Sequence, residues 1–199
     1  MNLLGIDFEE WFHPELIQKN IKINDKKLSV VNGIDKILNL LSKRNTFATF
    51  FVVGELIEKK PELLDKIIDN GHEIAFHTMY HTRLDAENYK NQFNSELEIF
   101  KKLTNNKSKG FRAPSFSLNE NTSWAIDSLK KNGYIYDSSI APVKTRLYGV
   151  PKAEKNPYKI DSGDIKKNQN SSDFLEFPLL TTTIFGKTIM AAGGFYIRT

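Results

Sequence analysis

Apolar and polar positions along the chain switch repeatedly between the period of a strand and that of a helix. "LLGI" (3–6) is an aliphatic run ending on Asp7, and "TFATFFVVG" (46–54) is β-branched and aromatic almost without interruption until Gly54. Short apolar runs bounded by turn residues predict strands, the second buried on both faces. Between them Ile34, Ile37, Leu38 and Leu41 share one face at helical spacing, predicting a helix over 33–44 with Asn32 as its cap. Helix is predicted again from Glu55 to Asp69, with Pro61 opening a second segment and Asn70-Gly71 ending it. "HEIAF" (72–76) is a short strand, and Tyr89, Phe93, Leu97, Phe100 and Leu103, at steps of three and four, predict an amphipathic helix over 85–103. "GF" before Arg112, a helix around 120–132 ending in "KKNG", and "YIYD" (134–137) continue the pattern. Residues 141–172, rich in Pro, Lys, Asn and Ser, read as an excursion over the surface, and "FLEFPLL" (174–180) and "TIMAA" (188–192) as the last strands.

Strand and helix thus alternate through the first 140 residues, the signature of an α/β fold with parallel strands and crossover helices, in a barrel or an open sheet. Polar groups recur just past the strands: Asp7, His77, Arg112 and Asp137. The C-terminal strand ends of a parallel fold converge on one face, where ligands bind, so four separated segments point to one site. At 199 residues and 40% hydrophobic content the chain supports one core, and residues 1–199 are expected to form a single domain. The net charge of +4 is spread without a basic block, which argues against nucleic acid as a partner. The absence of cysteine excludes disulfides and thiolate metal sites. No leader-like N-terminus and no apolar run near the roughly 20 residues of a membrane span appear, so the expected location is cytoplasmic.

Three of the four histidines, His72, His77 and His81, fall within ten residues. In "HTMYH" the pair His77 and His81 is spaced i, i+4, so a turn of helix after the strand would put both imidazoles on one face, able to share a metal. A carboxylate from the opening strand end would complete a two-histidine, one-acid set with positions left for water and substrate. The alternative is that the imidazoles only hydrogen-bond neighbouring turns. Asp7 and Glu9 face the same way on an extended backbone and Glu10 the opposite way, which offers separate carboxylates for a metal ligand and a general base. Trp11 and Phe12 suggest a shielded site, against the alternative of a solvated loop start. Arg112 in "FRAP" could hold a carboxylate base ionised and oriented, or form a plain salt bridge.

"GIDFEEWFH", "ATFFVVGE", "GHEIAFHTMYH", "GFRAPSFSLN", "YDSSI" with "YGVP", and "EFPLLTT" with "AGGFYIR" together resemble the polysaccharide deacetylases of the NodB-homology type, carbohydrate esterase family 4, in the branch found in exopolysaccharide and surface-glycan gene clusters. The resemblance covers nearly the whole chain in the family's order. It implies an irregular (β/α) barrel and metal-dependent removal of N-acetyl groups from sugars of a surface or exported polysaccharide or its precursor. By the same resemblance Asp7 is the base, Glu9, His77 and His81 the metal ligands with Glu10 the alternative, and Arg112 the tether of the base. Thr78 would hold the metal loop by hydrogen bonding, and Asp137 lies in a further family motif as a supporting residue. Zinc is the default metal for a nitrogen-rich hydrolytic site, while cobalt, nickel or iron could use the same ligands. Trp11, Phe12, Phe116 and Tyr148 are candidates for a saccharide groove, because sugar faces stack on rings.

Relatives of this branch continue to a strand ending in a histidine before Pro-Trp-Glu, to which protonation of the leaving amine is ascribed, and none of the four histidines here holds that position. The barrel is therefore expected to be C-terminally incomplete in this sequence, with an edge that a second copy of the chain could cover as a homo-oligomer. His13 is the spare histidine for the acid role, against the plainer reading of a packing residue in an aromatic loop. A catalytically silent glycan-binding protein of the same fold is the alternative function, and an iron oxygenase using two histidines and a carboxylate is a weaker third.

Overall fold

The computed structural model describes residues 3–20 and 27–192. In chain order its elements are β1 (Gly5–Phe8), α1 (Glu15–Asn20), α2 (Val30–Lys43), β2 (Thr49–Val52), α3 (Gly54–Lys59), α4 (Glu62–Asp69), β3 (Glu73–Phe76), α5 (Tyr89–Leu103), β4 (Gly110–Phe111), a 3₁₀ turn at Pro114–Phe116, α6 (Trp124–Lys131), β5 (Tyr136–Asp137), β6 (Tyr158–Lys159), β7 (Leu175–Glu176), β8 (Thr181–Ile184) and β9 (Lys187–Met190). The fold is mixed α/β with mostly parallel pairing. The chain divides into two compact units, Met1–Thr82 with Ser95–Gly110, and Arg83–Asn94 with Phe111–Thr199.

The first unit is built on β1, β2 and β3, which run parallel with Asp7 opposite Phe51 and Val52 opposite Phe76. Phe50, Phe51, Val52 and Val53 are all buried, as expected of a strand covered on both faces. Phe8 meets Phe50 edge to face at 5.9 Å, and Phe76 meets Phe100 of α5 at 4.7 Å. Each such buried side chain contributes about 1.5–3 kcal/mol of apolar transfer free energy. Helix α2 starts at Val30, ahead of the predicted boundary, and Asn32 is not its cap. Glu10 braces its start: the carboxylate accepts hydrogen bonds from Ser29 Oγ at 2.7 Å and from Val30 N, one of the unpaired N–H groups of the first turn, at 2.8 Å. Pro61 occupies the N-cap position of α4, and Gly71, with φ near +80°, turns the chain into β3.

In the second unit β5 pairs parallel with β7, and β6 lies antiparallel on the other side of β7. Phe93 on the first half of α5 packs edge to face with Phe111 and Trp124 at 5.4 and 5.5 Å. Residues 141–172 are not a surface excursion: Ala141, Val143, Val150, Tyr158, Ile160 and Ile165 are buried, and the segment contributes β6. Its apolar residues anchor an irregular path one at a time and so leave no periodicity to read. The hairpin β8–β9 turns at Phe185-Gly186, both at positive φ as a two-residue hairpin loop requires. The "AGGFYIR" motif (192–198) falls, from residue 193 on, outside the described residues.

Candidate metal centre

Beyond β1 the side chains alternate as the strand period dictates. Phe8 and Glu10 are buried, whereas Asp7 and Glu9 share the more open face. Glu10, the alternative ligand, is engaged elsewhere: its two oxygens accept from Ser29 Oγ and Val30 N at the start of α2. Glu9 instead comes together with His77 and His81: one ligand atom from each lies within 4.8 Å of the others.

No helical turn brings the histidines together. Residues 77–83 are irregular, with Thr78 and His81 at φ of 61° and 57°, and the two rings meet at 5.1 Å between centroids. A β-branched residue at positive φ is strained by a few kcal/mol at most, and such strain collects where the surroundings over-determine the backbone. Here the surroundings are hydrogen bonds: His77 N donates to Val52 O, Gly54 N to Thr78 O and Glu55 N to Met79 O, all at 2.9–3.0 Å. Met79 N donates to the buried Glu96 Oε2 at 2.8 Å. A Cβ at Gly54 would lie 2.2 Å from Met79 Sδ and 3.2 Å from Met79 Cα, so any larger residue there would have to displace the buried Met79 side chain. The expected loop-holding role of Thr78 therefore belongs to its carbonyl; its hydroxyl is buried without a hydrogen-bond partner among the described residues. Glu96 and Gly54 escaped the sequence reading because one sits in a polar stretch of α5 and the other looked like a strand terminator.

The donor set fits a divalent cation. Glu9 Oε2 lies 2.6 Å from His81 Nε2 in a geometry that makes no hydrogen bond, and that oxygen is buried without such a partner among the described residues. Lone pairs converging in this way are accommodated by a shared cation. His13 is not a spare acid. Its Nδ1 accepts from Glu10 N at 3.0 Å, which fixes the proton on Nε2, and Nε2 donates to Glu55 Oε1 at 2.8 Å. Burial also lowers the His13 pKa, outweighing the opposing effect of Glu55. Burial opposes ionisation of Glu55, but hydrogen bonds from Lys59 and His13 prevail and hold its carboxyl below the usual range. The His13 ring stacks over His81 at 6.3 Å, so it is a buttress for the ligand loop.

Of the groove candidates, Phe12 is buried in the core at 1% exposure and offers no face to a sugar, whereas Trp11 is 48% exposed. In the second unit, Phe116 and Tyr148 meet edge to face at 5.3 Å. Arg112 is buried and clamped by Ser138: Nε donates to its carbonyl and Nη2 to its hydroxyl, both at 2.8 Å. Ser138 Oγ in turn donates to Phe177 O at 2.9 Å. Asp137 accepts from Ser139 N at 2.9 Å and Ser139 Oγ at 2.6 Å, while Ser139 Oγ accepts from Ala113 N at 2.7 Å. Asp137 thus supports the strand end that carries Arg112. Its neighbour across β5–β7 is Glu176, also fully buried, whose Oε1 accepts from Ile140 N at 2.9 Å. Burial raises both carboxyl pKa values, and the Asp137 charge pushes Glu176 higher still. Two donors from Ser139 face Asp137 and one, Ile140 N, faces Glu176, an arrangement that favours the charge on Asp137 and the proton on Glu176.

The model of the polysaccharide deacetylase family matches residues 23–136, and that of a domain of unknown function, DUF3473, matches residues 138–199. The chain is similar to the peptidoglycan-N-acetylglucosamine deacetylase of Bacillus cereus, with 31% identity over 118 residues covering 52% of this chain and 43% of that protein. It is similar to the peptidoglycan deacetylase of Helicobacter pylori, 31% identical over 111 residues and 54% and 37% of the two chains. It is also similar to the peptidoglycan deacetylase-like protein FGM2 of Gibberella zeae, 29% identical over 121 residues and 58% and 35% of the two chains. The matched regions span less than half the length of each of these relatives. Among solved structures, a Mycobacterium smegmatis protein provisionally named a polysaccharide deacetylase aligns over 89% of this chain and 58% of its own, with a TM-score of 0.63 and 21% identity. Puue allantoinase aligns over 89% of this chain and 61% of its own, with a TM-score of 0.58 and 15% identity. At those identities the structural likeness speaks to the fold. Among the described residues no helix is long and apolar enough to cross a membrane.

Proposed function

The chain belongs to the polysaccharide deacetylase family, and from that premise we propose that it is a metal-dependent hydrolase removing N-acetyl groups from sugar residues of a surface or exported polysaccharide or its precursor. The observation that carries this reading is the convergence of Glu9, His77 and His81 within 4.8 Å, with a buried carboxylate oxygen unmatched by hydrogen bonds among the described residues.

Glu9, His77 and His81 would hold a divalent cation, zinc first and cobalt, nickel or iron able to replace it, whose charge polarises an acyl carbonyl and acidifies water. Asp7 lies two residues before Glu9 on the same open face and takes the proton of the attacking water. As a carboxylate outside the ligand set it keeps the basicity that ligation would remove. The hydroxide oxygen bonds to the acetyl carbon, the carbon–nitrogen bond breaks, and the nitrogen takes up a proton as acetate and the free amine separate. The role proposed for Arg112, orienting the base, comes from its family motif, and the Ser138 clamp supplies the rigidity that role needs. Neutral His13, with both nitrogens committed, stays out of the proton path.

The test is acetate release by the zinc-loaded chain from a panel of N-acetylhexosamine oligosaccharides. Acetate is expected with the wild type and is lost in Asp7→Asn and His77→Ala. A zinc-loaded wild type that binds these saccharides without releasing acetate would replace this reading with that of a silent glycan-binding protein.

A further inference from the structure

The second unit contains a cleft of about 310 Å³ that has no part in the chemistry above. We propose that this cleft is a subsite for a carboxylate-bearing sugar unit, with Phe116 and Tyr148 as its apolar floor and the Arg146 guanidinium as the counter-charge. The proposal rests on the saccharide reading of the substrate.

Shape and strain come first. Phe116 and Tyr148 line the cleft and pack against a small apolar cluster of Ala141, Val143, Leu179 and Met190, so the floor has solid support. Ser115 and Phe116 are consecutive non-glycine residues at φ near 51°, a costly conformation that turns Phe116 onto the cleft instead of continuing the extended chain. A ring edge-to-face pair partly open to solvent suits the apolar face of a pyranose.

Charge decides the class of ligand. Four charged side chains line the cleft: Arg83, Asp85, Glu120 and Arg146. Arg83 and Asp85 neutralise one another through a bidentate pair at 2.8 and 2.7 Å. Glu120 is paired with Lys166. Arg146 is exposed and makes no ion pair among the described residues, which leaves the cleft with one uncompensated positive charge.

Arg146 is also displayed on a rigid turn. Thr145 Oγ1 donates to Tyr148 O at 2.6 Å and accepts from Leu147 N and Tyr148 N at 3.2 and 3.1 Å, closing the turn around it. The turn ends at Gly149, with φ of 122°, where a Cβ would lie 2.2 Å from Val143 O, so no other residue fits without moving the backbone. The turn fixes the backbone that carries Arg146 at the cleft, and the planar fork of its guanidinium matches both oxygens of a carboxylate.

Calorimetric titration of the full chain, in the Asp7→Asn background to prevent turnover, tests this with two probes. One is a glucuronate–N-acetylglucosamine tetrasaccharide; the other is the same tetrasaccharide with its carboxylates methyl-esterified. The acid is expected to bind about tenfold more tightly than the ester, the scale of one charge-assisted hydrogen-bonding pair. Arg146→Ala should abolish that preference without weakening the ester, and Arg146→Lys should retain part of it. Equal affinities for the two probes, absence of binding to both included, overturn the proposal, as does an Arg146→Ala chain that still prefers the acid. Acid preference in a chain that releases no acetate would remove the hydrolase and leave the subsite. Acetate release from neutral oligosaccharides without acid preference would do the reverse.

Discussion

Replacing Glu176 by Gln isolates the proton shared within the buried Asp137–Glu176 pair. Glu176 Oε1 accepts from Ile140 N at 2.9 Å, while Oε2 has no donor among the described residues. That pattern is what a neutral carboxyl facing the Asp137 carboxylate would show, and an amide has the same shape and donates in the same direction. The native pKa of Glu176 is raised by burial and by Asp137, so the folded chain keeps a proton that the unfolded chain releases from about pH 4.3 upward. Wild-type stability contributed by this group is then fully present below that value and falls as pH rises towards the native titration, at about 1.4 kcal/mol per pH unit. Glu176→Gln has no proton to lose, so its stability relative to the wild type climbs by that slope. Asp137→Asn is costly instead, about 1–3 kcal/mol, because an amide nitrogen must face one of the two Ser139 donors. Urea unfolding of the three proteins from pH 4.5 to 8 measures this. Parallel pH curves for Glu176→Gln and wild type, or an Asp137→Asn protein more stable than Glu176→Gln, would refute the assignment of the proton.

Glu10→Ala should cost about 1–2 kcal/mol in urea unfolding, because the N-terminus of α2 loses both bonds to the carboxylate, and should leave zinc binding intact. Glu96→Ala leaves the buried Met79 N–H without its acceptor and should cost about 1–3 kcal/mol while weakening zinc affinity, whereas Glu96→Gln keeps an acceptor and should retain most of both; unfolding and calorimetry read the two effects. Arg112→Lys cannot span both Ser138 acceptors as the guanidinium does, so kcat is expected to fall at least tenfold with zinc stoichiometry unchanged.

Strong periodicity made the first unit readable. The uninterrupted "ATFFVV" run and the helical steps of α2 and α5 each declare their element, and the acid and histidine positions follow from where those strands stop. Boundaries shifted where a distant residue supplied the cap, as Glu10 does for α2, because capping across nineteen or twenty residues leaves no local signal. The i, i+4 histidines were legible as a pair but for a reason that does not operate: a strained loop, not a helix, brings them together. Residues 141–172 were misread because isolated buried side chains in a polar segment carry no period. Strand β8 (Thr181–Ile184) was hidden by its three threonines, and Glu176 by lying inside an apolar strand, where its burial becomes visible only beside Asp137.

In the proposed function Glu9, His77 and His81 share one cation. Zinc titration of the metal-stripped chain by calorimetry, with bound metal counted by elemental analysis, addresses it directly. One equivalent is expected in the wild type, with loss of that site in His77→Ala and His81→Ala, and weakened binding in Glu9→Gln with Glu10→Gln unchanged. A wild-type chain that takes up no zinc, cobalt or nickel, or one whose site survives both histidine substitutions, would contradict it.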